Sequence, residues 1–173
     1  MSTNFTLILL FTSMIFLSGC EEDLMPSNDP IHHGISSKEG EVIDDLSFAF
    51  TNDYSDTLSN RLMAHDGVIL YFTMWCPVCD SHMSQLRSRI QTQYPDVDII
   101  FVDYISKSVA YAKDAQQALG YTDFPVAADV NDTLENYFNG TMATTVIIDK
   151  NFVVRFHQVF KTSDEIIGVL NNL

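Results

Sequence analysis

Hydrophobic and polar positions along the chain fall into segments of two different periods. Residues 47–51 (SFAFT) read as a short strand, and residues 68–72 (VILYF) form a continuous apolar run of the kind buried on both faces of a sheet. From Cys76 the period lengthens. Val78, Met83, Leu86 and Ile90 recur near helical spacing with Arg87 and Arg89 off that stripe, and the helix should end before Pro95. Residues 97–103 (VDIIFVD) give the next buried strand, and residues 109–119 the next helix, closed by Gly120. An extended piece at 124–127 precedes a helical stretch at 133–138. TTVII (144–148) and VVRF (153–156) then bracket Asp149-Lys150-Asn151 as a hairpin. Ser163, with Glu165 close behind, opens a last helix through Leu170.

Strand–helix–strand early and hairpin-then-helix late imply an α/β fold, a mixed sheet with helices on both faces. The turn from the first buried strand into its helix, residues 73–79 (TMWCPVC), would lie at the carboxyl edge of the sheet, where α/β sites sit. No internal repeat interrupts this plan.

The N-terminus has a different character. Residues 5–17 (FTLILLFTSMIFL) are mostly apolar and uncharged, shorter than the roughly 20 residues of a spanning helix and suited to a signal-peptide core. The run ends in Leu17-Ser18-Gly19-Cys20, which resembles the lipobox of bacterial lipoproteins, although the leading MSTN lacks Lys and Arg. That resemblance implies removal of residues 1–19 and lipid on Cys20. Glu21, rather than aspartate, mildly favours the outer membrane, facing the periplasm. Residues 20–40 are polar and rich in Pro, Gly, Ser and acids, a flexible tether in which His32 and His33 are solvated. The domain proper is expected at 41–173.

Composition narrows the partners. A formal net charge of −14, from 23 acidic and 9 basic residues, repels phosphate backbones and anionic lipid, so nucleic acid is excluded as a partner class. Hydrophobic content of 46% supplies a real core. Three cysteines are present, and no second cysteine or histidine pair stands at zinc-finger spacing.

The chemistry concentrates at Trp75-Cys76-Pro77-Val78-Cys79. A cysteine at a helix start meets unpaired backbone N–H groups and the positive end of the dipole, which favour the thiolate, the nucleophile of disulfide exchange. Cys79, one turn on, can reach back and close a disulfide. Pro77 suits the first turn, where its missing N–H would have no partner. Trp75 would shield one side of the pair. Two inert buried cysteines are the plainer reading of a lone Cys-x-x-Cys, but its place after an apolar strand and Trp75 favours redox use.

These residues resemble the thioredoxin superfamily, and most closely its TlpA/ResA-like extracytoplasmic thiol-disulfide oxidoreductases. The resemblance runs through VILYF, WCPVC, DFPVAAD with Pro125, and MATTVIID before the hairpin. It implies a thioredoxin-like fold, a central mixed sheet flanked by helices, with an added N-terminal strand and a central insertion. It further implies disulfide exchange with protein substrates through Cys76 and Cys79, as reductant, with a membrane electron-donor protein as partner. The redox-active disulfide is then the only cofactor, and Trp75, Pro77, Met142 and Ala143 face the substrate.

Two positions depart from the family pattern. The family's cis-proline facing the disulfide is Ala143 here, after Met142. A non-proline cis bond costs roughly 2.5–4 kcal/mol, so a trans bond is expected. Where the family commonly has a glutamate three residues beyond the second cysteine, this chain has His82, on nearly the same helix face as Cys79. His82 is expected either to accept the proton when Cys79 becomes a thiolate or to be a partly buried, hydrogen-bonded histidine without a catalytic role.

Two other function classes use the same residues. Cys76, Cys79 and His82 have ligand chemistry for copper or zinc, so metal delivery is the alternative to catalysis, although no fourth ligand is evident and no metal is assigned. A peroxidase relative would use Thr73, three residues before Cys76, with a distant arginine. Leu70 holds the place where many thioredoxins carry a buried acid. His65 and Asp66 are expected in a solvated turn and His157 at the surface, while Asp129, Asn131 and Asp132 form an acidic turn suited to capping a helix.

Overall fold

The computed structural model describes residues 37–173. The expected signal peptide, Cys20, His32, His33 and most of the 20–40 tether lie outside the described residues. A small antiparallel ribbon, β1 (Ser47–Ala49) and β2 (Ser55–Thr57), leads through α1 (Leu58–Ala64) into β3 (Gly67–Thr73). Helix α2 (Pro77–Gln85) continues through a π-helical turn, Leu86–Ile90, into α3 (Gln91–Gln93). Then come β4 (Val97–Asp103), α4 (Val109–Ala118), β5 (Val126–Ala128), α5 (Thr133–Phe138), the hairpin β6 (Thr144–Asp149) and β7 (Val154–Val159), and α6 (Ser163–Leu170). Among the described residues no helix is long and apolar enough to cross a membrane.

The main sheet runs β5-β4-β3-β6-β7. Strands β3, β4 and β5 pair in parallel, and β6 and β7 are antiparallel. This is the mixed sheet expected from the segment order. Central β3 is buried along its whole length, as its apolar run requires. Its alternate residues divide the core. Val68, Leu70 and Phe72 face a cluster with Phe48, Leu58, Leu62 and Phe138, contributed by β1, α1 and α5. Ile69 and Tyr71 face the other, with Cys79, Met83, Leu86 and Ile90 from the long helix and Ile166 and Leu170 from α6. Truncating a fully buried member such as Met83 to alanine costs about 2–5 kcal/mol.

Several expectations change. Val78 is exposed, and Cys79 takes its place on the apolar stripe, so 79, 83, 86 and 90 form the buried face. The π-helical turn has no counterpart in the hydrophobic pattern. Residues 55–64 carried no expectation, because only Leu58 and Leu62 of α1 are buried. That helix is nonetheless capped, by the Thr57 hydroxyl accepting the Asn60 N–H. Helix α6 starts at Ser163 and runs through Leu170 as expected, and its cap is the preceding Thr162, whose hydroxyl accepts the Glu165 N–H.

His157 is a correction. It is 1% exposed rather than superficial. Its Nδ1 accepts the Lys38 N–H at 2.9 Å, so Nε2 carries the proton and donates to the Phe138 carbonyl at 2.9 Å. Burial holds its pKa below the usual value. A histidine satisfied at both nitrogens can be buried at the cost of its charge. The same contact ties the end of the tether down. The Gly40 N–H donates to the Val154 carbonyl, and Val42 bridges to Val153.

Candidate active site

Strand β3 ends at Thr73, directly beside Asp103 in the parallel register with β4. The chain then turns sharply. Trp75 sits in the left-handed region at φ 60°, where a side chain costs roughly 1–2 kcal/mol. Two hydrogen bonds hold it there. Its N–H donates to Thr73 Oγ1 (3.0 Å) and its indole Nε1–H to Asp103 Oδ2 (2.7 Å). Asp103 is fully buried and accepts three further bonds, from the Ser106 hydroxyl and from the N–H groups of Ile105 and Ser106. Sequence reasoning missed Asp103. Its signal was a second acid, after Asp98, closing a mostly apolar strand one strand over from the reactive turn.

Cys76 follows as the N-cap of α2, and Pro77 takes the first helical position. The Cys79 N–H donates to Cys76 Sγ at 3.2 Å, and the two sulfurs, both free thiols, lie 2.8 Å apart. Roughly 0.8 Å of approach would reach a disulfide bond length of about 2.05 Å. Cys76 is half-buried and Cys79 fully buried. Partial burial pulls the Cys76 thiol upward. The Cys79 S–H and the backbone N–H groups of Cys79 and Val78 outweigh it, and its pKa falls below that of an ordinary thiol.

The expected substrate-facing residues divide. Pro77 and Met142 are exposed beside Cys76, with Met142 Sδ at 3.5 Å from Cys76 Sγ, and Trp75 is half-buried. Ala143 is 1% exposed, so its side chain faces the core. No cis peptide occurs among the described residues, and Ala143 adopts φ 66°. Its N–H donates to the Phe72 carbonyl and its carbonyl accepts the Phe160 N–H, so it joins β3 to the end of β7.

His82 stands three residues beyond Cys79 on α2. Its Nδ1 lies 3.1 Å from the Tyr71 hydroxyl, its ring packs on Phe160, and burial lowers its pKa. Tyr71 has no exposed surface; burial and its contact with Cys79 raise its pKa above the ordinary phenol range. Cys76, Cys79 and His82 do not form a cluster of ligand atoms among the described residues. The one such cluster among the described residues, Asp129, Asp132 and Glu135, is remote in role. Asp129 accepts the Leu134 and Glu135 N–H groups to cap α5, and Lys107 pairs with Asp132 and Glu135. All four arginines of the chain pair with carboxylates, Arg61 with Asp98, Arg87 with Asp123, Arg89 with Asp164 and Arg155 with Asp149.

Fold and site together define a thioredoxin-like protein with a dithiol at the mouth of a helix. A family model described as the AhpC/TSA family matches residues 44–157, more than half of the chain, and the chain belongs to that family. No curated protein matches it in sequence. Among solved structures, the pneumococcal exposed lipoprotein thioredoxin from Streptococcus pneumoniae strain TIGR4 is similar, with TM-score 0.61 and 22% identity over 75% of this chain and 100% of that one. A thioredoxin-like protein from Aeropyrum pernix gives TM-score 0.62 and 20% identity over 75% and 89%. Peroxidoxin BcpB from Mycobacterium tuberculosis gives 0.61 and 18% over 78% and 97%. At these identities the likeness establishes the fold.

Proposed function

We propose that this protein is a membrane-tethered, extracytoplasmic thiol-disulfide oxidoreductase of the TlpA/ResA-like kind, exchanging disulfides with protein substrates. Its enzyme class is supported by its family and by the paired sulfurs. The observation that carries the reading is Cys76 Sγ at the α2 N-cap, bonded by the Cys79 N–H, with Cys79 Sγ 2.8 Å away. Cys76 attacks the substrate disulfide and forms a mixed disulfide. Cys79 then attacks Cys76 Sγ, closing the internal disulfide and releasing the substrate thiol. Trp75, Pro77 and Met142 border the approach. No cofactor beyond the disulfide is needed.

Tethering through Cys20, with the outer membrane mildly favoured, is supported by the Leu17-Ser18-Gly19-Cys20 sequence. Operation as a reductant rests on the family resemblance and requires a membrane electron donor in an oxidising compartment. The lowered Cys76 pKa pulls the other way, because a stabilised thiolate favours the reduced form. A redox titration against dithiothreitol decides the direction. A very negative midpoint supports the reductant, and one near the oxidase range reverses it.

Peroxide reduction is the rival favoured by the family and by the peroxidoxin likeness. Against it, Thr73 is buried and accepts the Trp75 N–H, and every arginine is engaged by a carboxylate. Metal delivery lacks His82 as a convergent ligand, though Met142 brings a third sulfur near Cys76. Turnover of a protein disulfide, abolished by Cys76→Ser and trapped as a mixed disulfide by Cys79→Ser, supports exchange. Saturating peroxide consumption without it, or stoichiometric copper held against a chelator, would replace this reading.

A further inference from the structure

When exchange reaches its second step, the Cys79 thiol must lose its proton. In the free dithiol that proton has an acceptor in the Cys76 sulfur, 2.8 Å away. Once Cys76 is bonded to substrate, its sulfur is no longer an anion. Cys79 is fully buried, so bulk water does not collect the proton directly. Tyr71, presented from β3, is packed with Cys79 in one buried cluster. Tyr71 is equally buried, and its oxygen is 3.1 Å from His82 Nδ1. His82 is only partly buried, and its other nitrogen carries the hydrogen when Nδ1 accepts.

We propose that Tyr71 is the proton bridge between Cys79 and His82. As Cys79 Sγ attacks Cys76 Sγ, Cys79 passes its proton to the Tyr71 oxygen while the Tyr71 O–H passes its own to His82 Nδ1. The Cys79 electron pair forms the Cys76–Cys79 bond, and the pair of the broken bond leaves on the substrate sulfur. The imidazolium then yields its proton to solvent or to the departing thiolate. The substrate disulfide is the oxidant throughout: it is reduced to two thiols as the protein dithiol is oxidised. Burial keeps the phenol neutral and the resting imidazole unprotonated, which suits a bridge that never becomes tyrosinate. The other titratable groups facing Tyr71 are Cys76 and Tyr121. The Tyr121 hydroxyl donates to the Asp80 carboxylate, and Arg87 lies over its ring; Phe101 and Phe160 complete an apolar surround.

The bridge rests on the disulfide exchange proposed above, and one experiment separates the two. Reduced full-length protein carrying Cys20→Ser, so that no third thiol reacts, releases one thionitrobenzoate from dithiobis(nitrobenzoate) when Cys76 attacks and a second when Cys79 resolves. Tyr71→Phe keeps the ring and removes only the hydroxyl. Its first release should match wild type, and its second should slow about 10²-fold at neutral pH, with the rise in rate moving from the imidazole range to the thiol range. His82→Gln should slow the second release similarly, and the double variant should be no slower than either single one, since both lie on one path. A wild-type second release and pH profile in Tyr71→Phe overturns the bridge, as do losses that multiply in the double variant. Absence of the first release in wild-type protein overturns disulfide exchange instead. Should circular dichroism find Tyr71→Phe unfolded, His82→Gln on the rim carries the test, and an unchanged second release there refutes the bridge.

Discussion

Replacing Asp103 by asparagine removes one charge and one acceptor from the carboxylate that anchors the reactive turn. Asp103 accepts hydrogen bonds from Trp75 Nε1, the Ser106 hydroxyl and two backbone N–H groups. With the amide oxygen placed where Oδ1 sits, the Ile105 and Ser106 N–H bonds survive. The amide NH2 then faces the Ser106 hydroxyl, which can rotate to accept, and the indole N–H, which cannot. Turning the amide over instead sets its NH2 against both backbone donors. The better arrangement still loses a charge-assisted bond worth about 1.5–3 kcal/mol and leaves a buried donor facing a donor. A total loss of about 3 kcal/mol is expected, a large part of the roughly 5–15 kcal/mol that holds such a domain together. In Tm this is about 10 °C. Trp75 is the chain's single tryptophan, so its emission reports the same contact and should shift to the red in the variant. Urea unfolding by circular dichroism gives the energies, and a double-mutant cycle with Trp75→Phe should find a coupling of about 1–2 kcal/mol. A loss below about 0.5 kcal/mol with unchanged emission would refute this account of the turn.

Ala143 supplies a second contrast. For Ala143→Gly, relief of roughly 1–2 kcal/mol at φ 66° is offset by about 0.5–1 kcal/mol of chain entropy and by the lost buried methyl, about 0.8 kcal/mol. Thermal melts should therefore place it within about 0.5 kcal/mol of wild type. Ala143→Pro cannot adopt that φ and loses the N–H bond to Phe72, so it should lose more than about 2 kcal/mol; a stabilised Pro variant would contradict the geometry. His157 gives a pH dependence. Burial, its first cause, holds the folded pKa below the unfolded value of about 6.5, so between the two the unfolded chain binds more protons and stability rises with pH. Urea midpoints should fall on acidification below about pH 6.5, with a shallower slope in His157→Gln.

Much of the fold was legible because apolar periodicity reports burial, and burial is what the sheet imposes. VILYF and VDIIFVD were strands because both faces of β3 and β4 are covered. Helices α5 and α6 were bounded correctly by their apolar spacing. Residues 55–64 stayed silent because α1 rests on two buried leucines, too few to set a period. His157 was misplaced because its burial depends on Lys38 and Phe138, far off in sequence. Within the site, Cys76, Cys79 and Pro77 could be read from helix-terminus physics alone. Asp103 and Tyr71 could not, since each reaches the turn only through strand register. The shared face of His82 and Cys79 was read from helix spacing, whereas the Tyr71 hydroxyl that His82 meets comes from the strand beneath.

The central claim is that a helix N-terminus and a neighbouring thiol hold Cys76 as an anion ready to attack. The rate at which iodoacetamide modifies Cys76 in the reduced protein, followed across pH by peptide mass spectrometry, tests it most directly. Half-maximal reactivity should fall below the ordinary thiol value of about 8.5, and Cys79→Ala should raise it by removing the S–H donor. A midpoint at or above that value, or faster modification of the buried Cys79 than of Cys76, would contradict it.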